Sequence, residues 1–242
     1  MNPIQLSVFS EEEKQIIHEA TLEVLGTVGV RVFDEGLRHL MRKRGAAVDE
    51  TTGDVKLSPE LVMEALSTAP QSFKLVDREG RTLPIPAEET YICSRVLLPK
   101  TLDFGAEKPR EPVLEDVIHA CQIANALDDV DMILRTDTPV SDIDAHPDLN
   151  GLLSIQTAMT YTAKHFLIIP INFAAMKDWV AVAEAATESG DLAQERVMTR
   201  EVSTTAPLQL DEESCKVLQL GARKGLPVMA MPMPAGGGTA PM

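Results

Sequence analysis

The sequence predicts an α/β protein: about half of a (β/α)8 TIM-type barrel, preceded by a helical N-terminal extension. Three observations carry that expectation. From Leu114 onward, apolar strands alternate with amphipathic helices, and successive strands start about 30 to 36 residues apart, the spacing of βα units in a parallel sheet. The run Phe166-Leu167-Ile168-Ile169 is apolar without a break, as a strand buried on both faces requires. The first strand of the series runs into Arg135-Thr136-Asp137-Thr138-Pro139 with no glycine, so the phosphate-binding turn of a dinucleotide-binding sheet is missing.

The elements follow in order. Ser10 and Glu13 form a capping box that opens a helix with Ile17, Ala20, Val24, Leu25 and Val28 on one face, ended by Gly29. Asp34 caps a short helix carrying Leu37, Leu40 and Met41, which stops at Gly45. Ser58-Pro59 pairs a capping side chain with proline at the first helical position, and that helix ends near Pro70. Two apolar stretches between Phe73 and Pro86 flank a Glu79-Gly80 turn and predict a hairpin. Residues 87 to 112 read as irregular and place a domain boundary there. The extension is thus 1–112 and the half-barrel 113–242.

The half-barrel begins with a helix from Leu114 to Leu127 and a strand from Val130 to Leu134. A helix near Asp148 to Ala163 leads to the strand Phe166–Ile169, and one near Met176 to Glu188 leads to a strand around Val197 to Ser203. Asp211 caps the last helix, which runs to Lys224, and Pro227 to Met231 is the fourth strand. A barrel of this class closes with eight strands, so the chain reads as part of a longer protein. An open fourth strand, with interior residues such as Ile168 and Met229 uncovered, predicts a homo-oligomer.

Composition narrows the function. The chain has 242 residues, 44% hydrophobic and 24% charged, which is ordinary for a globular protein. No apolar run reaches the ~20 residues of a membrane span, and no signal pattern opens the chain, so no membrane role is expected. Its net charge of −15 argues against nucleic acid and suits cationic small molecules. Three scattered cysteines make neither a disulfide framework nor a thiolate metal cluster, which points to a cytoplasmic setting.

No complete catalytic constellation is present, and no catalytic residue is assigned. There is no nucleophile elbow, phosphate-binding loop, His-x-x-x-His pair or Cys-x-x-Cys. His165 precedes a strand, whereas barrel chemistry gathers at strand ends, so a structural role at the bottom face is expected. His146, between Asp144 and Asp148, sits in a pattern common to solvated loops, and no metal site is expected.

The candidate substrate-binding residues are those just past each strand. Asp137 follows the first as an acceptor or counter-ion, and Asn172 the second as a neutral hydrogen-bonding group. Thr204 and Thr205 follow the third as short donors. Met231 and Met233 follow the fourth as a polarizable apolar wall. Gly236 and Gly237 belong to a loop where missing side chains let a ligand approach the backbone. Each of these residues also serves, by type, as a cap or turn former.

The order and spacing of several segments make the chain similar to the N-terminal half of the trimethylamine:corrinoid methyltransferase (MttB) family. They are Gly29-Val30-Arg31-Val32, Gly45-Ala46-Ala47-Val48-Asp49, Leu57-Ser58-Pro59-Glu60-Leu61-Val62 and Ala69-Pro70-Gln71-Ser72-Phe73. Thr162-Ala163-Lys164-His165-Phe166, Thr205-Ala206-Pro207-Leu208-Gln209-Leu210 and Gly225-Leu226-Pro227-Val228, running into Met231-Pro232-Met233-Pro234, complete the set. The chain departs from the family where members carry a glycine-rich stretch and it has Tyr91-Ile92-Cys93-Ser94-Arg95-Val96-Leu97-Leu98-Pro99.

The resemblance implies a (β/α)8 barrel that passes a methyl group from trimethylamine, or a related methylated or quaternary amine, to the Co(I) of a partner corrinoid protein. The cobalamin-type cofactor is then carried by that partner and not by this chain. A second class of function stays open: a non-catalytic binding or assembly module built on the same half-barrel. Four further strand–helix units encoded after Met242 would favour the enzyme.

Overall fold

The computed structural model describes residues 7–96, 99–136, 140–143, 147–170, 172–202, 204, 207–231 and 236–237. In chain order the first elements are α1 (Glu11–Thr27), β1 (Val30–Val32), α2 (Glu35–Lys43), β2 (Ala47–Val48), β3 (Asp54–Lys56), α3 (Pro59–Thr68), β4 (Phe73–Val76) and β5 (Thr82–Ile85). Then come β6 (Cys93–Arg95), α4 (Leu114–Ala126), β7 (Met132–Thr136), α5 (Pro147–Tyr161), β8 (His165–Ile169) and α6 (Phe173–Ala185). The last are β9 (Met198–Val202), β10 (Gln209–Leu210), α7 (Glu212–Arg223) and β11 (Val228–Ala230). They fall into two units. One comprises Met1–Gln71, Ser203–Lys216 and Met231–Met242, the other Ser72–Val202 and Val217–Ala230.

In the first unit the predicted caps are in place. Ser10 Oγ accepts from the Glu13 N–H at 3.2 Å, and Glu13 Oε2 accepts from the Ser10 N–H at 2.8 Å. Asp34 Oδ1 accepts from Leu37 N–H at 2.6 Å, and Ser58 Oγ from Leu61 N–H at 3.3 Å. The α1 face differs from the expected one: Ile17, Val24 and Val28 are exposed, while His18, Leu22 and Leu25 are half-buried. The short strands order as β10-β1-β3-β2, with β1 parallel to β10 and antiparallel to β3. Val32, Ala46, Val55 and Cys215 form the small core. Gly29 is obligatory here. Its φ is +85°, and a Cβ would stand 2.5 Å from the Val55 carbonyl oxygen.

The second unit holds a five-stranded, wholly parallel sheet in the order β6-β7-β8-β9-β11. The four strands expected after residue 130 are there, parallel and in sequential order. Sequence reading missed the fifth, β6, because it lies in the stretch taken as irregular. That stretch is pinned by Arg110, whose guanidinium bridges Asp103 (2.8 Å) and Asp116 (2.7 Å) and holds both carboxyls below their usual range.

α4, α5 and α6 cover one face of the sheet. Val117, Cys121, Ile155, Met176, Trp179 and Val180 pack there with Ile133, Phe166, Ile168 and Met198 from the strands. Ile168, expected on the uncovered interior, is instead fully buried beneath the helices. Met229 lies on the opposite face, in register with Glu201. At the entrance to β11, Gly225 has φ +66°, and a Cβ would stand 2.6 Å from Ala193 Cβ.

Candidate active site at the strand ends

The two edges of the parallel sheet are built differently. The β4–β5 hairpin is anchored to the residues that precede the strands. Val76 N–H donates to Arg196 O before β9, and Arg78 Nη2 donates to Thr162 O (2.9 Å) before β8 and to Met159 O. Arg81 pairs with Asp131 before β7, and Asp131 also accepts from Ile92 N–H (2.8 Å) before β6. The hairpin therefore closes the N-terminal edge of the sheet.

His165, at the start of β8, completes that closure. It is fully buried, with Nδ1 3.0 Å from Val76 O and Nε2 2.9 Å from Thr199 Oγ1. A carbonyl can only accept, so Nδ1 carries the proton and Nε2 accepts from the threonine hydroxyl. Burial pushes the imidazole down to about 4, against the opposing pull of the Val76 and Arg196 carbonyls. This is the structural histidine expected from its position. The neighbouring residues do similar work: Asn125 Oδ1 accepts from the Thr162 hydroxyl (3.0 Å) and Ala163 N–H (2.9 Å), and Lys164 Nζ donates to Leu127 O.

In parallel α/β sheets chemistry sits at the C-terminal edge of the strands, where loops and helix N-termini converge. Asn172 stands there after β8, half-buried, as the N-cap of α6. Its Oδ1 accepts from Ala175 N–H at 2.8 Å, and Nδ2 is its donor group. Thr204 is exposed and Met231 half-buried, and Gly236 and Gly237 are exposed, with φ +73° at Gly237. These four belong to the first unit and Asn172 to the second. Asp137, Thr205 and Met233 lie outside the described residues, as does His146. Among the described residues, no group of three His, Cys, Asp or Glu side chains is placed to hold a metal ion.

One feature of this edge escaped sequence reading. All five residues of β9 are buried, including Thr199, Arg200 and Glu201. Burial pushes the Arg200 guanidinium down to about 10, opposed by the Glu201 charge, and its Nε and Nη1 have no hydrogen-bond partner among the described residues. The signal was available: two consecutive charges inside a strand whose neighbours are buried on both faces. Two grooves lie away from this edge. One of about 570 Å3 is lined by Arg81 of the hairpin and by Glu88, Glu89 and Tyr91 after it, and one of about 520 Å3 by Phe73, Ile85, Gln194 and Arg196.

Comparison with known proteins fits this architecture. The trimethylamine methyltransferase (MTTB) family model matches residues 2–242. The chain is 28% identical over 236 residues to trimethylamine methyltransferase MttB of Desulfitobacterium hafniense, covering 97% of this chain and 47% of that protein. It is 29% identical over 251 residues to the Methanosarcina barkeri (strain Fusaro) protein of the same name, covering 100% and 50%. The proline betaine:corrinoid methyltransferase of Eubacterium limosum is 26% identical over 155 residues, covering 64% and 31%. The chain thus spans about half the length of the trimethylamine methyltransferases it matches. With the match running along nearly every residue, the chain belongs to the trimethylamine methyltransferase family.

Proposed function

We propose that the parallel sheet is part of a (β/α)8 barrel that moves a methyl group from trimethylamine, or a related methylated or quaternary amine, to a partner corrinoid protein. The observation that carries this reading is the family match over residues 2–242, joined to a parallel sheet whose N-terminal edge is closed. A Co(I) corrinoid on the partner would supply the electron pair for the new bond to the methyl carbon, and the C–N electron pair would leave with nitrogen. This chain's task is to exclude water, orient the N–CH3 bond and stabilise the bound amine.

The corrinoid is assigned to the partner protein. His165 has both ring nitrogens engaged at the closed edge, and His18, His39 and His119 lie on helices α1, α2 and α4. In the proposed site Asp137 is a counter-ion for the cationic head, with Asn172 Nδ2 and the hydroxyls of Thr204 and Thr205 as donors. Met231 and Met233 give an apolar wall, and Gly236 and Gly237 allow close backbone approach.

Loss of Co(I) absorbance in the corrinoid protein, on addition of enzyme and amine, tests the reading. Transfer from at least one of trimethylamine, glycine betaine and proline betaine is expected. Asp137→Asn is expected to lower kcat/KM about tenfold with thermal stability unchanged. No transfer from any methylated amine would contradict the reading. It would favour the assembly module, which the unpaired edges of β6 and β11 among the described residues support.

A further inference from the structure

We infer that Glu201 is a buried carboxylate that receives the methylated ammonium group, an anionic contact additional to Asp137; the inference rests on the methyl-transfer reading. The register of β9 fixes the direction of its side chains. Met198 and Arg200 pair with Phe166 and Ile168, and both of those pack under the helices. Successive residues of a strand point to opposite faces, so Thr199 and Glu201 face away from the helix layer. Thr199 confirms the direction by bonding His165, which is held by the hairpin. This face therefore has a closed floor at the N-terminal edge and a carboxylate near its C-terminal edge.

Glu201 is only 2% exposed and pairs in register with Met229. Ile169 lies one residue beyond the Ile168–Arg200 pair on the other side. A methylated ammonium needs one negative charge for its nitrogen and apolar atoms for its methyl groups, which donate no strong hydrogen bonds. A carboxylate between a thioether and an isoleucine supplies both. A buried charge also discriminates better, because the same ion pair is several times stronger at low effective dielectric than in water. Arg200, on the helix side with Nε and Nη1 unpartnered among the described residues, sets a positive charge behind this strand.

Calorimetric titration with choline and with its uncharged isostere 3,3-dimethyl-1-butanol separates charge from shape. Wild type is expected to prefer choline clearly. Glu201→Gln is expected to raise the choline Kd more than tenfold and change the isostere's less than twofold. Glu201→Asp is expected to fall between the two, and it carries the test should the glutamine variant not fold. Choline affinity within twofold of wild type in the variants, equal loss of both ligands, or no choline binding by wild type would each overturn the assignment. Methyl transfer that proceeds unchanged in Glu201→Gln defeats the assignment and leaves the methyl-transfer reading standing. Failure of wild type to transfer from any methylated amine defeats that reading instead.

Discussion

His165 gives the molecule a pH dependence whose sign follows from its surroundings. Its folded value of about 4 lies below the ordinary 6.5, so the unfolded chain binds the proton more readily. The stability held by the neutral ring is fully present above pH 6.5 and is lost as pH falls from 6.5 towards 4. The full difference is worth about 3 kcal/mol at 1.36 kcal/mol per unit. Thermal unfolding at pH 7 and pH 5 is expected to show a drop in wild type that His165→Gln largely removes. An equal drop in both proteins would show that other groups carry the acid sensitivity. At this scale the sequence was partly legible. Position before a strand was enough to assign His165 to the scaffold. Arg200 and Glu201 went unread because a strand found by its apolar residues draws attention away from the charges inside it.

Elements were legible where a local device sets them. Ser10, Asp34 and Ser58 start helices in the structure as their chemistry predicts, since a cap acts within its own turn. α6 starts at Phe173, earlier than the expected Met176, because Asn172 caps it. Asn172→Ala is therefore expected to cost about 1 kcal/mol in chemical denaturation, whereas Asn172→Asp keeps the acceptor and most of the stability. Equal stability of the alanine variant would mean that the cap contributes nothing. Elements set by distant partners were not legible. β10 exists by pairing with β1, so that Gly29-Val30-Arg31-Val32 and Leu208-Gln209-Leu210 support one another across the chain. The exposed apolar side of α1 has the same origin: the 3.6-residue period says that a stripe exists but not which neighbour will cover it.

For the whole molecule, the second unit's sheet ends at β6 on one side and at β11 on the other, and no described strand pairs with either outer edge. Open parallel edges and exposed apolar side chains such as Ile123 and Leu127 favour association. Sedimentation of this chain is expected to show a dimer or larger species. A monomer that also binds no dye for apolar surface would contradict that. The sequential parallel order was legible because each βα unit repeats one pattern, while the closure of the N-terminal edge was not. The Arg81–Asp131 and Arg78–Thr162 contacts join residues 50 or more apart and leave no local signature.

The asymmetry between a closed N-terminal edge and the opposite edge is the centre of this account. A crystal structure of the protein with a bound trimethylammonium ligand tests it most directly. The ligand is expected at the C-terminal ends of β7, β8, β9 and β11, with its nitrogen beside a carboxylate. Density for it in the groove lined by Arg81, Glu88, Glu89 and Tyr91 would place the site at the wrong edge of the sheet and contradict the account.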